Sequence, residues 1–379
     1  MSEEHCIPMA LIPVNQPLLD GNEKSYLLEC IDSGWISSEG PFVTRFENEF
    51  ARRVGRNHGI AVCNGSAALE VAVKASGIGD RAEVIMPAFT IISCAAAVVR
   101  AGATPVLVDS DPTTWNMNVE QIEEKITPQT RAIMVVHIYG LPVDVDPVLR
   151  LAKAYDLTVI EDAAEMHGQT YRGRPCGSFG DISTFSFYPN KHITTGEGGM
   201  VVTDDEGLAE RCRSLRNLCF NDKRRFSHEE LGWNFRMTNL QAALGLAQLE
   251  RLDEFVARKR HMGNYYSRLL AGLSGLQLPV AATEYAENIY WVYGVVLNDE
   301  VGFDAPGAMN RMAERKIGTR PFFWPMHDQP VFRRMGLFEG VECPVSDRLA
   351  RRGFYIPSGL ALTDDQMERV AAALRQVVH

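Results

Sequence analysis

The chain lacks a long apolar run. Nothing in its 379 residues approaches the roughly 20 consecutive apolar positions that a membrane span needs. It also lacks paired cysteines: the eight present are scattered from 6 to 343 with no Cys-x-x-Cys spacing. That pattern argues against a zinc site or a disulfide framework and predicts reduced thiols in a cytoplasmic protein. Basic charge is scarce. Lys+Arg number 38 against 48 Asp+Glu, and the formal net charge of -10 argues against nucleic acid or an anionic membrane as a partner. Glu3, Glu4 and His5 stand where a secretory leader would carry its basic region, so no leader is expected. Internal repeats are missing too. What is left is a 46% hydrophobic composition, ordinary for a globular core, in a chain long enough for two domains.

What is there is alternation. Strand-like runs near 60–63, 83–87, 105–109, 132–137, 157–161, 182–187 and 199–203 are separated by helical patterns at 66–76, 92–101, 146–154 and 207–216. Alternation of this kind implies crossover connections and an α/β fold with a mainly parallel sheet of seven strands. From 240 to 270 apolar residues recur at helical spacing, which predicts one long connecting helix. The remainder mixes a strand at 291–297 with helices at 306–316 and 363–377. We therefore expect a large domain over 1–250 and a smaller C-terminal α+β domain over 251–379, with residues 1–30 packed near the latter.

Three segments carry chemistry. Lys191 lies between an apolar run ending at Phe187 and a glycine-rich turn, followed by the run from Met200 to Thr203. Lysine is seldom buried without a partner, so one wedged between two strands is either snorkelling or chemically employed. Its productive use is as an amine nucleophile that forms a Schiff base with a carbonyl such as that of pyridoxal phosphate. Gly196, Gly198 and Gly199 would let the backbone crowd a bound group. Upstream, the run from Leu157 to Glu161 reads as a buried strand that ends in Asp162. A carboxylate there could partner a pyridine nitrogen or simply cap a helix. Further upstream, Gly65 and Ser66 open a helix after a strand, a place suited to phosphate. Ser66 could equally be the cap of that helix.

The run Glu161-Asp162-Ala-Ala and the run Ser186-Phe-x-x-x-Lys191-x-x-Thr-x-Gly-Glu-Gly-Gly, in this order, resemble the DegT/DnrJ/EryC1/StrS family of sugar aminotransferases. The resemblance extends over almost the whole chain, from Pro17-Leu-Leu-Asp20 and Ser33-Gly-Trp35 through His137-Ile-Tyr-Gly140 and Gly232-Trp-Asn234 to Tyr355-Ile-Pro-Ser358. It implies a fold-type-I enzyme in which Lys191 holds pyridoxal 5'-phosphate and moves the proton, and Asp162 partners the pyridine nitrogen. The cofactor would alternate with its pyridoxamine form as an amino group passes from L-glutamate to a nucleotide sugar. Gly65, Ser66 and Ser186 would hold the phosphate, joined by Asn234 from the neighbouring subunit of a homodimer with shared sites. Phe89 or Ile91 would cover a ring face, and Glu165 would stand beside the phenolic oxygen. Trp35, Arg320 and His327 are expected at the substrate, and the basic stretch 222–225 at its diphosphate.

Within the family, the opening segment, Glu165 and the run from Arg320 to Pro330 are most similar to members that make GDP-linked perosamine. The implied substrate is GDP-4-keto-6-deoxymannose, with another dTDP- or UDP-linked keto sugar as the alternative. A pyridoxamine-dependent sugar dehydratase, with histidine in place of the lysine, is a lesser reading, since His192 sits one place on. A non-enzymatic regulatory relative is another. His167 is expected to be packed or capping rather than catalytic, and no metal is expected.

Overall fold

In a computed structural model of the chain, residues 10–220 and 224–378 are described. Helices α1 (Glu23–Ser33) and α2 (Pro41–Arg53) lead into β1 (His58–Val62), α3 (Gly65–Ala75), β2 (Glu83–Pro87), α4 (Ile92–Arg100) and β3 (Thr104–Val108). Next come β4 (Thr130–Val136), α5 (Val145–Tyr155) and β5 (Thr158–Asp162), a small hairpin of β6 (Thr170–Tyr171) and β7 (Arg174–Pro175), then β8 (Ile182–Ser186), β9 (Gly199–Thr203) and α6 (Glu206–Arg216). Seven strands form one sheet in the order β1-β9-β8-β5-β4-β2-β3, and only β9 runs against the others. This is the mainly parallel seven-stranded sheet expected from the alternation.

The sheet is apolar on both faces because both are covered. Along β4, Ala132, Met134 and Val136 enter one core cluster while Ile133 and Val135 enter the other. The two-residue period of a strand thus feeds two layers at once. Helix α3, capped by Asn64, brings Ala68, Val71 and Ala72 fully buried into the first layer. Helix α2 starts on Pro41, whose missing N–H is no loss at a helix start, and lays Phe42, Phe46 and Phe50 into the second.

The long helix expected over 240–270 is instead two. Helix α7 (Asn239–Leu249) opens on a Thr238–Gln241 capping box, and α8 (Leu252–Leu269) follows after a break at Glu250 and Arg251. The break lets two differently patterned helices find different partners. Helix α7 packs its small apolar residues on α1 and α2, whereas α8, charged along one side, packs against the C-terminal helix over 364–378. The C-terminal sheet has the order β10-β11-β13-β12, from β10 (Leu276–Gln277), β11 (Tyr293–Leu297), β12 (Arg320–Pro321) and β13 (Gly353–Ile356). Helices α9 (Ala305–Glu314), α10 (Pro330–Arg334), α11 (Pro344–Arg352) and α12 (Asp364–Val378) complete this half. Its core gathers Tyr293, Val295, Leu297, Met367 and Leu374 with Ile12, which bridges to Ile317. The N-terminal stretch is therefore divided: Ile12 joins the C-terminal core, while α1 lies on α7. Among the described residues no helix is long and apolar enough to cross a membrane, and seven cysteines are free.

One buried side chain ties the β1 edge to the sheet centre. Arg56 donates from Nε to the Gly177 carbonyl at 2.9 Å and from Nη2 to the carbonyls of Phe179 and Gly180 at 2.7 and 2.8 Å, while Nη1 meets Asp204 at 2.9 Å. Replacing it with methionine removes every one of these donors and strands buried carbonyls. We expect Arg56→Met to lower stability by about 3 kcal/mol in urea unfolding; a loss under about 1 kcal/mol would contradict that role.

Candidate active site

The carboxyl ends of β1, β2, β4, β5 and β8 open on a single cavity of about 550 Å³, the place where open α/β sheets bind ligands. Strand β5 delivers Asp162 there. Its Oδ1 accepts from the Ala164 N–H at 3.0 Å and its Oδ2 from the Cys94 thiol at 3.2 Å. No helix begins at this point, so the helix-cap alternative falls away. Burial pushes the Asp162 carboxyl above its usual range, and the two donors pull against that shift.

Lys191, just past β8, projects into the same cavity and is not snorkelling, with a side chain only 10% exposed. Its Nζ lies 3.7 Å from Glu165 Oε1 and 3.7 Å from the centre of the Trp291 ring face. Burial lowers the Lys191 amine from the ordinary lysine value, while Glu165 and Asp162 hold it up. Glu165 Oε2 accepts from the Tyr139 N–H at 2.6 Å, and burial lifts the Glu165 carboxyl to about 8. Buried in this way, Glu165 and Lys191 each resist being charged alone, and each favours the charge of the other.

A third corner is built from hydroxyls. Asn64 accepts from the Ala67 N–H at 2.8 Å and so is the cap of α3, which frees Ser66 from that duty. Ser66 Oγ lies 2.7 Å from Ser93 Oγ at the start of α4. Ser186 comes close beneath Gly65, where an added Cβ would meet the Ser186 Cβ at 2.7 Å, so only glycine lets β8 approach α3 this way. The crowding expected at Gly199 is of the same kind: a Cβ there would lie 2.4 Å from the Asn64 carbonyl. That glycine serves chain against chain, and it does not line the cavity.

Other expected site residues fall elsewhere. Ile91 lines the cavity, but Phe89 is buried behind it in a cluster with Tyr139, Phe322 and Phe323, so Phe89 does not cover a ring bound there. His327 is likewise buried outside the cavity, with Nε2 at 3.0 Å from Asp347 Oδ1; it pins a loop and does not reach a substrate in this chain's cavity. Arg320 is exposed on β12, paired in register with Tyr355 of the cavity wall. Trp35 and Asn234 are exposed and away from their own chain's cavity. Of the stretch 222–225, residues 222 and 223 lie outside the described residues; Arg224 and Arg225 are exposed. His167 is buried against Phe50, Phe185 and Phe187, with its imidazole pushed down to about 3 by burial. Cys94, Ser93, Trp291, Phe323 and Tyr355 were not foreseen. They come from elements far apart in the chain, and no local pattern announces them.

Among the described residues two clusters have metal-ligand composition, His137–Glu161–Cys176 and His327–Asp328–Asp347. In the first, His137 Nδ1 accepts from the Val143 N–H at 3.0 Å, so Nε2 carries the proton and donates to Glu161 at 3.1 Å. No imidazole lone pair remains for an ion. In the second, Asp328 already pairs with Arg333.

The residues present fit pyridoxal phosphate: an amine, a carboxylate and a hydroxyl-lined helix start converge on one cavity. Thr184 Oγ1 and Asn190 Oδ1, from residues of its wall, are also buried without hydrogen-bond partners. Comparison with known proteins agrees. The model of the DegT/DnrJ/EryC1/StrS aminotransferase family matches residues 17–375. The chain is 43% identical to a GDP-perosamine synthase of Caulobacter vibrioides, covering 97% of this chain and 98% of that one. It is 41% identical to one of Escherichia coli O157:H7, covering 97% and 99%. Its fold superposes on the aminotransferase TlmJ of Streptoalloteichus hindustanus with a TM-score of 0.90 at 29% identity, over 97% of this chain and 98% of that one.

The Glu165 shift has a pH signature. A carboxyl raised from 4.5 to about 8 by burial favours the fold while protonated, and that contribution is lost as pH rises through about 8. Glu165→Gln cannot ionise. In the cofactor-free protein its melting temperature should gain on wild type as pH climbs from 4.5 to about 8 and hold a constant offset above. An offset that is flat across that window would show that Glu165 ionises without cost.

Proposed function

Because the chain belongs to the DegT/DnrJ/EryC1/StrS aminotransferase family, we propose that it transfers an amino group from L-glutamate to C4 of GDP-4-keto-6-deoxymannose, giving GDP-perosamine. The observation that carries this reading is the convergence of Lys191, Asp162 and the Ser66–Ser93–Ser186 corner on one cavity. The two relatives named GDP-perosamine synthase support the choice of sugar and nucleotide.

Bound there through Lys191, pyridoxal phosphate would supply the electron sink that makes the Cα–H of an amino donor acidic. The rest falls to this chain. Asp162 would accept from the pyridinium N–H, whose positive charge would favour the ionised carboxylate against burial. The free N–H groups at the start of α3, with the hydroxyls of Ser66, Ser93 and Ser186, would hold the phosphate. Lys191 Nζ would take the Cα proton as base and return it as acid, roles suited to an amine that burial keeps from holding its proton tightly. Glu165, 3.7 Å away, would hold a proton between those transfers. Ile91, Trp291, Phe323 and Tyr355 would wall the reaction from water.

A dehydratase with histidine in the lysine position has less support. His192 is fully buried with Nε2 at 3.3 Å from the Ile289 carbonyl, whereas Lys191 lines the cavity. A homodimer completes the proposal. Asn234 would reach the phosphate of the neighbouring subunit, and Arg224 and Arg225 the substrate's diphosphate. Phe226 and Leu231, 82% and 88% exposed in the single chain, are apolar surface that a second copy would cover. The domains would divide near 250, and the free cysteines suit a cytoplasmic location.

Borohydride treatment of the holoenzyme should fix the cofactor on Lys191 by peptide mapping, and a label on another lysine refutes the assignment. Asp162→Asn should fold yet slow turnover about a thousandfold or more, since each 1.4 kcal/mol of barrier is about tenfold; near-normal turnover would separate Asp162 from the cofactor. Mixing inactive Lys191→Ala and Asn234→Ala chains should restore one working site per heterodimer. Verified heterodimers without activity would count against shared sites. Finally, kcat/KM across GDP-, dTDP- and UDP-linked 4-keto-6-deoxysugars should favour the GDP sugar strongly, because a site that pairs with guanine leaves polar groups unmatched by a pyrimidine. Preference for a pyrimidine nucleotide would change the substrate and leave the amino transfer standing.

A further inference from the structure

Lys259 is a buried amine with no part in the chemistry above. It sits on α8, 1% exposed, in the helix that leads from the large half of the molecule to the small one. No carboxylate pairs with it among the described residues. Its Nζ instead donates to two main-chain carbonyls, that of Trp291 at 2.8 Å and that of Ser358. Those two residues flank strands β11 and β13, and the same two segments supply Trp291 and Tyr355 to the cavity wall.

Trp291 is held at its other end as well. Its indole Nε1 donates at 2.8 Å to the carbonyl of Asn190, the residue before Lys191, and its ring face lies 3.7 Å from Lys191 Nζ. A continuous set of contacts thus runs from Lys259 through the Trp291 main chain and indole to Lys191. An apolar residue of the same length would fill the space on α8 but would leave both carbonyls buried without a donor. The segment entering β11 could then relax only by moving the indole that it carries.

We propose that Lys259 is a positioning residue for Lys191: clamped between the Trp291 and Ser358 carbonyls, it fixes the Trp291 indole against the Lys191 amine. Burial, with Lys191 nearby, also brings the Lys259 amine down to about 7. The inference rests on Lys191 being the reacting amine of the proposed function.

The test is acetylation of the cofactor-free protein with acetic anhydride at about pH 10, near the ordinary lysine value, with wild type and variants compared at the same pH. Peptide mass spectrometry reads the Lys191 rate against exposed Lys153 in the same sample. Lys259→Met should raise the Lys191 rate about threefold or more, on the scale of losing one aromatic contact. Trp291→Leu should do the same, and the double variant should add nothing further, as for two residues acting in one unit. A wild-type rate in Lys259→Met beside a raised rate in Trp291→Leu overturns the proposal, and so does full additivity. Should Lys259→Met fail to fold, Lys259→Gln replaces it, its shorter amide unable to reach both carbonyls; the same rise is expected, and an unchanged rate overturns the proposal. Since no cofactor or sugar is present, the result stands apart from the borohydride and turnover experiments on the function itself.

Discussion

Desolvation at the carboxyl ends of the sheet governs most of what this molecule does. Asp162, Glu165 and Lys191 are all removed from water within one cavity, and burial opposes the charge on each. Such groups are tolerated because each has specific partners. Asp162 receives the Ala164 N–H and the Cys94 thiol, Glu165 receives the Tyr139 N–H, and Lys191 rests between Glu165 and the Trp291 face. A base that must give and take a proton near neutral pH needs an amine less basic than a surface lysine. The same burial that makes the site costly to form would therefore suit Lys191 to the proposed proton transfers.

The fold supplies the walls of this site. Parallel strands stop at nearly the same level, so the residues just beyond β1, β2, β4, β5 and β8 face one another across the sheet edge. Two covered faces leave that edge as the opening between layers. The smaller half closes it with aromatic groups, Trp291, Phe323 and Tyr355, none of which belongs to the sheet that carries the amine. Close glycine contacts at 65 and 199 let β8 and β9 press against the start of α3, which brings the hydroxyl corner within reach.

Where the sequence reading departed from the structure, the cause was tertiary. A continuous apolar pattern over 240–270 says helix but not straightness, and the break at Glu250–Arg251 follows from two halves with different neighbours. Phe89 and Ile91 are two residues apart in one strand-end segment, and only packing decides that Phe89 turns into an aromatic cluster while Ile91 faces the cavity. His327 sits in a loop rich in proline and aromatics, yet it is buried outside the cavity with its Nε2 against Asp347.

Periodicity and local chemistry indicated the order of strands and helices and the mainly parallel sheet, and marked Lys191 and Asp162 as candidates at its carboxyl edge, because those features are written in short-range spacing. Which side chains gather around them was decided by the tertiary structure alone. Cys94 under Asp162, Trp291 over Lys191 and Lys259 behind Trp291 are contacts across 68, 100 and 32 positions of chain. No spacing rule spans such distances. They arise because burying the apolar faces of the sheet, α4 and α8 brings these distant segments together, where their buried polar atoms pair with one another.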